Sequence, residues 1–278
     1  MKKFVIGIGS QRAGSTLLHK ILDECSEIFM HPLKELHYYD TLYGVRQQSI
    51  LKEFSKRQLD RELDKIISSV SHHFIDKRYR CYLRANKILL NKEIADVDYF
   101  DLYRPFLAEA NILGEITPEY MLLPDSAVAR MRTDLGASTK IILIGRDPVD
   151  RFLSSFKLLK SYGGGVHDSS ALEREVSQAI EEMPAWIEQQ KRFNSYDIAL
   201  NLYKKYFDSV LFMSYEKIIS DIHGSHRLLE DFLETKIDLE CMKNIMKKKV
   251  NSLVETGKVS EGLRAFISTR VIPSRGDE

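Results

Sequence analysis

The stretch FVIGIGSQRAGSTLLHKILDEC, residues 4–25, determines the fold prediction for this chain. It opens with an apolar, β-rich run at residues 4–8 and continues through glycines and small polar residues. Apolar residues then recur at helical spacing, at Leu17, Leu18, Ile21 and Leu22. The pattern predicts a strand, a glycine loop and a helix in immediate succession.

A second unit of the same kind begins at residues 140–145, where KIILIG predicts a buried strand. Asp147 offers a helix N-cap and Pro148 suits the first helical position, so a helix should follow. A third strand is predicted at residues 210–213 (VLFM). Helical patterns cover most of the remaining chain, at residues 50–74, 93–110, 125–135, 172–193 and 197–207.

Strands that alternate with helices predict an α/β fold with a central parallel sheet flanked by helices. No internal repeat, low-complexity tract or long Pro/Gly-rich linker divides the sequence. We therefore expect one domain that spans residues 1–278.

The charge balance excludes some classes of partner. The chain has 41 Lys and Arg residues against 40 Asp and Glu residues, a formal net charge of +1, and 44% of its residues are hydrophobic. This is the composition of a soluble globular protein, and it argues against non-specific nucleic-acid binding, which needs a large basic excess. No apolar stretch approaches the roughly 18 residues that cross a bilayer, so no membrane span is expected.

The three cysteines, Cys25, Cys81 and Cys241, are odd in number, far apart in sequence and without the spacing of a zinc site. A chain of this length can bury enough surface to fold without a disulfide or a metal. The pattern is typical of a protein in the reducing cytosol, so we expect a cytoplasmic location.

The loop at residues 9–16, GSQRAGST, has the frame of a phosphate-binding loop. Its glycines let backbone N–H groups surround an anion, and the following helix adds the positive end of its dipole. A nucleotide triphosphatase would carry lysine at position 15, where this chain has serine, and the cation is instead Arg12. The alternative is a plain glycine turn with a solvated arginine.

A second candidate anion element lies at residues 146–154. Arg146 follows the KIILIG strand directly, and Ser154 lies eight positions later on the predicted helix. Ligands collect at the carboxyl ends of parallel strands, so Arg146 should face the same ligand as the glycine loop. Alternatively, Arg146 pairs with Asp147 or Asp150 at the helix start.

Residues 34–40, KELHYYD, concentrate acids and a histidine after the first helix. If the segment is extended, Glu35 and His37 project to one side, because side chains alternate along a strand. A carboxylate beside an imidazole is a workable acid/base pair. The alternative is an exposed polar turn with tyrosines packed behind it.

Taken together, these motifs resemble those of the sulfotransferases that use 3′-phosphoadenosine 5′-phosphosulfate (PAPS). Residues 9–16 match the family's 5′-phosphosulfate loop, GxxKxGTT or GxxRxGTT, and residues 146–154 match its 3′-phosphate element, RxPxxxxxS. The resemblance implies a P-loop NTPase-like sulfotransferase fold and PAPS as the cofactor. It assigns the cofactor contacts to Gln11, Arg12, Ala13, Gly14, Ser15, Thr16, Arg146 and Ser154.

Residues 34–40 resemble the K-E-x-H-[FY]-[FY]-D segment of heparan-sulfate-type sulfotransferases. The resemblance implies that Glu35 is the general base, that His37 supports it, and that Arg12 stabilises the leaving phosphate without a metal. The acceptor would be a hydroxyl of a sugar, a lipid or a small-molecule alcohol. Residues 114–120 resemble a segment near the acceptor cleft, E-K-[ST]-P-x-Y, with Ile116 in place of the lysine.

The residues alone leave two other functions open. A P-loop kinase shares the fold and the glycine loop, and a non-catalytic nucleotide-binding protein would bind the same ligand and transfer nothing. The family usually closes its cofactor site with a C-terminal basic segment, for which the candidates are residues 247–249 and 257–258. The sequence makes no prediction of oligomeric state.

Overall fold

In a computed structural model, which describes residues 2–68, 76–162, 172–247 and 259–273, the chain forms a parallel sheet covered by helices on both faces. The strands in the described ranges are β1 (Lys3–Gly9), β2 (Phe29–Met30), β3 (Ile112–Ile116), β4 (Lys140–Gly145) and β5 (Ser209–Ser214). They lie in the order β2-β3-β1-β4-β5, and every pairing is parallel. The predicted α/β fold with a central parallel sheet is confirmed.

The helices connect consecutive strands or pack against the sheet. They are α1 (Ser15–Cys25), α2 (Tyr38–Leu42), α3 (Gln48–Ser68), α4 (Lys77–Asn91), α5 (Asp125–Leu135), α6 (Pro148–Tyr162), α7 (Leu172–Glu182), α8 (Pro184–Arg192), α9 (Tyr196–Lys204), α10 (Tyr215–Ser220), α11 (Ile222–Leu233), α12 (Leu239–Lys247) and α13 (Glu261–Val271). Short 3₁₀ turns cover Ile94–Asp96, Tyr99–Tyr103 and Pro118–Leu122.

Alternation along the central strand explains why both faces of the sheet are covered. Phe4, Ile6 and Ile8 of β1 lie in one buried apolar cluster, and Val5 lies in the cluster on the opposite face. Side chains on a strand point to alternate faces, so a strand that is apolar throughout residues 4–8 needs helices on both sides. The loops at the carboxyl ends of the strands are left to form a ligand site.

Several predicted elements differ from the structure. Residues 93–110, predicted as a helix, form two short 3₁₀ turns, and β3 was not predicted at all. The predicted helix at 172–193 is two helices, because Pro184 cannot donate the backbone hydrogen bond that a continuous helix needs. The helix predicted at 50–74 is present over Gln48–Ser68, residues 69–74 of that prediction lie outside the described residues, and the unpredicted α4 follows at Lys77–Asn91.

The cysteines were interpreted as those of a protein in the reducing cytosol, where thiols stay reduced, and the structure differs from that interpretation. Cys25 and Cys241 form a disulfide, with their Cα atoms 5.6 Å apart, and Cys81 is a free, buried thiol. The two cysteines are 216 positions apart in sequence, but α12 packs on α1 and brings them together. Sequence separation therefore concealed a pair that the fold makes adjacent.

Among the helices of the described ranges, none has both the length and the apolar character needed to span a bilayer. The C-terminal basic candidates at 248–249 and 257–258 lie outside the described residues.

Candidate functional site

The candidate residues meet at the carboxyl edge of the sheet. The glycine loop follows β1, the segment with Glu35 and His37 follows β2, and the turn with Glu119 follows β3. Arg146 directly follows β4 at the same edge. This is where ligands bind in open parallel sheets, because the helix N-termini and the strand-to-helix loops converge there.

The glycine loop is shaped by Gly14, which has a φ of +102° and leads into α1. A Cβ at this position would lie 2.7 Å from the ring of Tyr215, so no other residue fits without a shift. Helix α1 begins at Ser15, and no side chain of the described residues caps its N-terminus. The first-turn N–H groups of α1 are therefore suited to bind an anion. The side chain of Ala13 is buried in the core, so only its backbone can face a ligand.

The two predicted anion elements contact each other. Arg12 donates from Nε to Ser154 Oγ over 3.0 Å, and Arg146 donates from Nη1 to the carbonyl of Arg12 over 3.2 Å. The Arg146 guanidinium also lies over the Tyr215 ring, 4.9 Å from its centre. Two arginines and a serine from distant parts of the chain thus form one surface beside the N-terminus of α1.

The sequence left open that Arg146 pairs with Asp147 or Asp150 at the start of α6. The structure shows a different arrangement. Asp147 and Asp150 instead accept hydrogen bonds from Arg264 of α13, at 3.0 and 2.6 Å. Arg264 of α13 thus supplies the counter-charge to these two aspartates, and the guanidinium of Arg146 contacts the loop at the Arg12 carbonyl.

Sequence reasoning did not assign a role to Arg151, whose side chain is fully buried behind the glycine loop. It donates to Asn194, Gln190 and Ser155, and at 3.5 Å to the carbonyl of Gln11. Burial lowers the pKa of Arg151 to about 10, so the group is still a cation at neutral pH. Arg151 therefore supports the loop from within and adds positive charge beneath it.

Glu35 and His37 contact each other, but the segment is not extended as the prediction assumed, because His37 has a left-handed backbone with a φ of +50°. Glu35 Oε2 lies 3.4 Å from His37 Nε2, and Glu35 Oε1 pairs with Lys34. On the other side of the ring, His37 Nδ1 lies 2.7 Å from Asp40 Oδ2, and both His37 and Asp40 are buried.

The same contacts set the protonation states. Burial opposes charge on His37, but its bonds to Asp40 and Glu35 dominate and raise its pKa to about 10. Burial likewise works to raise the pKa of Glu35, but His37 and Lys34 together lower it to about 2. At neutral pH, Glu35 is therefore a carboxylate and His37 an imidazolium.

Glu119 is a site residue that sequence reasoning missed. Its Oε2 lies 3.9 Å from His37 Nδ1, and its Oε1 accepts a long, 3.5 Å hydrogen bond from Gln11 of the glycine loop. Glu119 thus lies between the loop and the Glu35–His37 pair. The sequence signal for a role of Glu119 was its position directly before Tyr120, in the 114–120 segment that resembles a motif near the acceptor cleft.

Glu115 holds the loop that carries the acid/base pair. Its buried carboxylate accepts hydrogen bonds from Leu36 N–H and from the hydroxyls of Tyr99, Thr117 and Tyr120. Ile116, the neighbour that replaces a lysine in the resemblance, is buried in the core and packs on Gly7. No charge is thus presented to the cleft at that position.

The arrangement can bind a polyanion on one side and handle a proton on the other. Single ligand atoms of Glu35, His37 and Glu119 all lie within 4.8 Å of one another, which is also close enough to hold a metal ion. Metal-free chemistry, expected from the resemblance, stays a prediction.

Comparisons with known proteins agree with this fold. A family model described as "Sulfotransferase family" matches residues 5–238. A sulfotransferase from Alicyclobacillus acidocaldarius is similar in structure, with a TM-score of 0.54 and 18% identity, over 97% of this chain and 90% of that one. Among curated proteins, none matches the chain significantly.

Two further solved structures are similar at lower scores. The sulfotransferase domain from the curacin biosynthetic pathway has a TM-score of 0.49 and 15% identity, over 98% of this chain and 99% of that one. The sulfotransferase STF9 from Mycobacterium avium has a TM-score of 0.43 and 12% identity, over 96% and 75% respectively.

Proposed function

The chain belongs to the sulfotransferase family, and from this premise we propose that it transfers the sulfuryl group of PAPS to a hydroxyl of a carbohydrate or small-molecule alcohol. The observation that carries the proposal is the contact between Arg12, Ser154 and Arg146 at the strand edge that also holds Glu35 and His37. A sulfuryl donor with phosphates at both ends of its ribose needs two anion elements, and a transfer reaction needs a proton acceptor beside them.

The residues at the glycine loop fit such a donor. The loop N–H groups, the Arg12 guanidinium and the hydroxyls of Ser15 and Thr16 would hold the 5′-phosphosulfate, and Arg146 with Ser154 would hold the 3′-phosphate. Arginine suits both positions because its planar fork matches phosphate oxygens. The buried charge of Arg151 beneath Gln11 adds to the attraction for an anion.

When bound, PAPS supplies an activated sulfuryl group. Glu35 then accepts the proton of the acceptor hydroxyl, and it is in the required carboxylate form because His37 and Lys34 keep its pKa low. Arg12 stabilises the negative charge that develops on the phosphate side, and the fixed loop dipoles contribute without reorganising. His37 holds Glu35 in place from Nε2 and is itself fixed by Asp40 at Nδ1.

The domain range and the cellular location belong to this proposal as well. We infer a single sulfotransferase domain over residues 1–278, and the cytoplasmic location stays a prediction. The Cys25–Cys241 disulfide is evidence against the cysteine argument for the cytosol. Location is therefore best tested directly, by fractionating cells that produce the protein.

The first experiment is a calorimetric titration with adenosine 3′,5′-bisphosphate, with adenosine 5′-phosphate and ATP–Mg²⁺ as controls. We expect tight binding of the bisphosphate only, followed by transfer of label from ³⁵S-PAPS to members of an alcohol panel. A preference for ATP–Mg²⁺ would favour a kinase. Bisphosphate binding without transfer to any acceptor would favour a non-catalytic nucleotide-binding protein.

A further inference from the structure

The carboxylate of Glu119 lies buried at the centre of the site with few hydrogen bonds. Its side chain is 15% exposed, and the Oε2 atom accepts no hydrogen bond from any described residue. The Oε1 atom accepts only the 3.5 Å bond from Gln11, which is at the limit of hydrogen-bond distance. Leaving a buried carboxylate oxygen without a donor is costly, so a ligand that brings one should bind here.

Two neighbouring cations, Arg46 and His37, do not supply that donor as they are arranged. Arg46 lies close enough to lower the pKa of Glu119, but its buried Nε has no hydrogen-bond partner among the described residues. His37 is the nearest, but its Nδ1 bonds to Asp40 at 2.7 Å and its Nε2 faces Glu35 at 3.4 Å. Both ring hydrogens of the imidazolium are thus directed to other carboxylates. The contact from His37 Nδ1 to Glu119 Oε2, at 3.9 Å, is electrostatic and too long for a hydrogen bond.

The protonation of Glu119 agrees with this shortage of donors. Burial raises its pKa, and the nearby carboxylates of Glu35 and Asp40 raise it further, against the opposing charges of His37 and Arg46. A donor placed on Oε2 would favour the ionised form and lower the pKa. Glu119 is in this respect the opposite of Glu35, which already has two cationic partners.

The acceptor alcohol can bring the missing donor. The glycine-loop side of Glu119 is where Arg12 and α1 favour anions, and phosphate or sulfuryl oxygens carry no hydrogen to donate to a carboxylate. An alcohol that enters from the side of Glu35 does carry such hydrogens. One oxygen of Glu35 and one of Glu119 lie within 4.8 Å of each other, a distance that two adjacent donor groups on one molecule can bridge.

We propose that Glu119 determines acceptor specificity by accepting a hydrogen bond from a second donor, a hydroxyl or an amine on the carbon next to the reacting hydroxyl. The inference rests on the proposed function, because Glu35 is taken to receive the proton of the hydroxyl that reacts. The proposal leaves the sulfuryl transfer itself unchanged. The hydroxyl oxygen that faces Glu35 would bond to sulfur and give its proton to Glu35, while the bond from sulfur to the 5′-phosphate oxygen would break and release adenosine 3′,5′-bisphosphate. Glu119 would hold the neighbouring group.

The test compares three acceptors that differ only at that neighbouring carbon. Cyclohexanol offers one hydroxyl, trans-1,2-cyclohexanediol offers a second hydroxyl, and trans-2-aminocyclohexanol offers an amine. Transfer of label from ³⁵S-PAPS to each is measured with wild-type protein, Glu119→Ala and Glu119→Gln. Glu93→Gln, at an exposed carboxylate paired with Lys52, is the matched control.

We expect wild-type protein to favour the diol or the amino alcohol over cyclohexanol. Glu119→Ala should lower kcat/KM for the favoured acceptor by about 10- to 100-fold, the range for a lost hydrogen bond to a charged group, and should lower it clearly less for cyclohexanol. A preference for the diol identifies the donor as a hydroxyl, and a preference for the amino alcohol identifies it as an amine. Glu119→Gln should keep part of the preference for the diol, because an amide oxygen still accepts.

Equal turnover of the three acceptors by wild-type protein would overturn the inference. It would also be overturned if the protein sulfated other alcohols but none of these three. An equal loss with every acceptor in Glu119→Ala would assign Glu119 to the reacting groups instead, and loss of the preference on adding EDTA would assign it to a metal ion. Calorimetry and the wider alcohol panel separate these results from failure of the proposed function: in that case adenosine 3′,5′-bisphosphate does not bind to the wild-type protein, or it binds and no alcohol at all is sulfated.

Discussion

Arg12 Nε and Ser154 Oγ are joined by a 3.0 Å hydrogen bond, although 142 positions separate the two residues in sequence. The bond links the glycine loop after β1 to helix α6 after β4. Arg146 adds a second link through the Arg12 carbonyl. The two motifs that the sequence presents as independent anion elements are therefore one surface, and a change in either should affect the ligand held by both.

Arg146→Ala tests which phosphate this residue holds. We expect the affinity for adenosine 3′,5′-bisphosphate to fall by about 10- to 100-fold, as for a lost charged hydrogen bond, and the affinity for adenosine 5′-phosphate to change little. Calorimetry with both ligands measures the difference. The control is Arg57→Ala, which removes an exposed arginine of α3 that pairs with Glu53. An equal loss for both ligands would place Arg146 away from the 3′-phosphate.

Glu35→Gln tests the general base. The amide cannot accept a proton, so turnover of PAPS with any acceptor should fall by about 10²- to 10⁴-fold. Binding of adenosine 3′,5′-bisphosphate should be nearly unchanged, because Glu35 contacts Lys34 and His37 but none of the loop residues among its described partners. Steady-state rates and calorimetry on the same preparation check both statements. Activity that survives within a fewfold would remove Glu35 from the role of base.

His37→Gln tests the charge on the imidazole through stability. The folded-state pKa of His37, about 10, lies above its ordinary value of 6.5 because Asp40 and Glu35 stabilise the cation. Its contribution to stability is therefore fully present below pH 6.5 and is lost as the pH rises through 10. The difference in free energy of unfolding between wild type and His37→Gln should shrink over that window. Urea titrations at several pH values measure it.

The control for that series is His223→Gln, at an exposed histidine on α11. Its difference from wild type should be small at every pH. A His37→Gln difference that stays constant between pH 6.5 and 10 would mean that the imidazole is neutral in the folded protein.

Much of the fold could be predicted from the sequence, because β1 and β4 are uninterrupted apolar runs with a glycine loop or an N-cap directly behind them. Strand β3 escaped prediction for a physical reason. Its five residues include Gly114 and the charged Glu115, so it does not read as a buried strand, yet Glu115 is fully buried with four hydrogen-bond donors around it. A buried charge with its partners is a tertiary arrangement that periodicity does not encode.

The candidate site divides in the same way. Arg12, Arg146 and Glu35 occupy fixed positions in short motifs, so their sequence context was sufficient to predict a role. Glu119 acts through a contact with His37, more than 80 positions away in sequence. Arg151 acts through contacts with Asn194 and Gln190, more than 30 positions away. Only the fold brings these partners together.

Glu115→Ala tests whether this buried carboxylate holds the Glu35 loop. The change leaves the Leu36 N–H and three hydroxyl groups without their acceptor, so we expect the free energy of unfolding to fall by about 3 kcal/mol or more. Glu115→Gln should cost less, because the hydroxyls of Tyr99 and Tyr120 can rotate to accept from the amide. Thermal and urea unfolding of both variants checks the order. A Glu115→Ala protein as stable as Glu115→Gln would contradict the assignment.

The Cys25–Cys241 disulfide can be tested by counting thiols and by reduction. Protein denatured without reductant should expose one thiol, that of Cys81, and three after reduction. Cys241→Ser should lower the free energy of unfolding by about 2–4 kcal/mol, the usual effect of removing a cross-link. Helix α12 should nevertheless stay docked, because Asp238 N–H donates to the Cys25 carbonyl at 2.8 Å independently of the sulfurs. Bisphosphate affinity should therefore be unchanged, since the bridge lies at the opposite end of α1 from the glycine loop. Three thiols in the unreduced protein would show that the pair is open and would restore the argument for a reducing compartment.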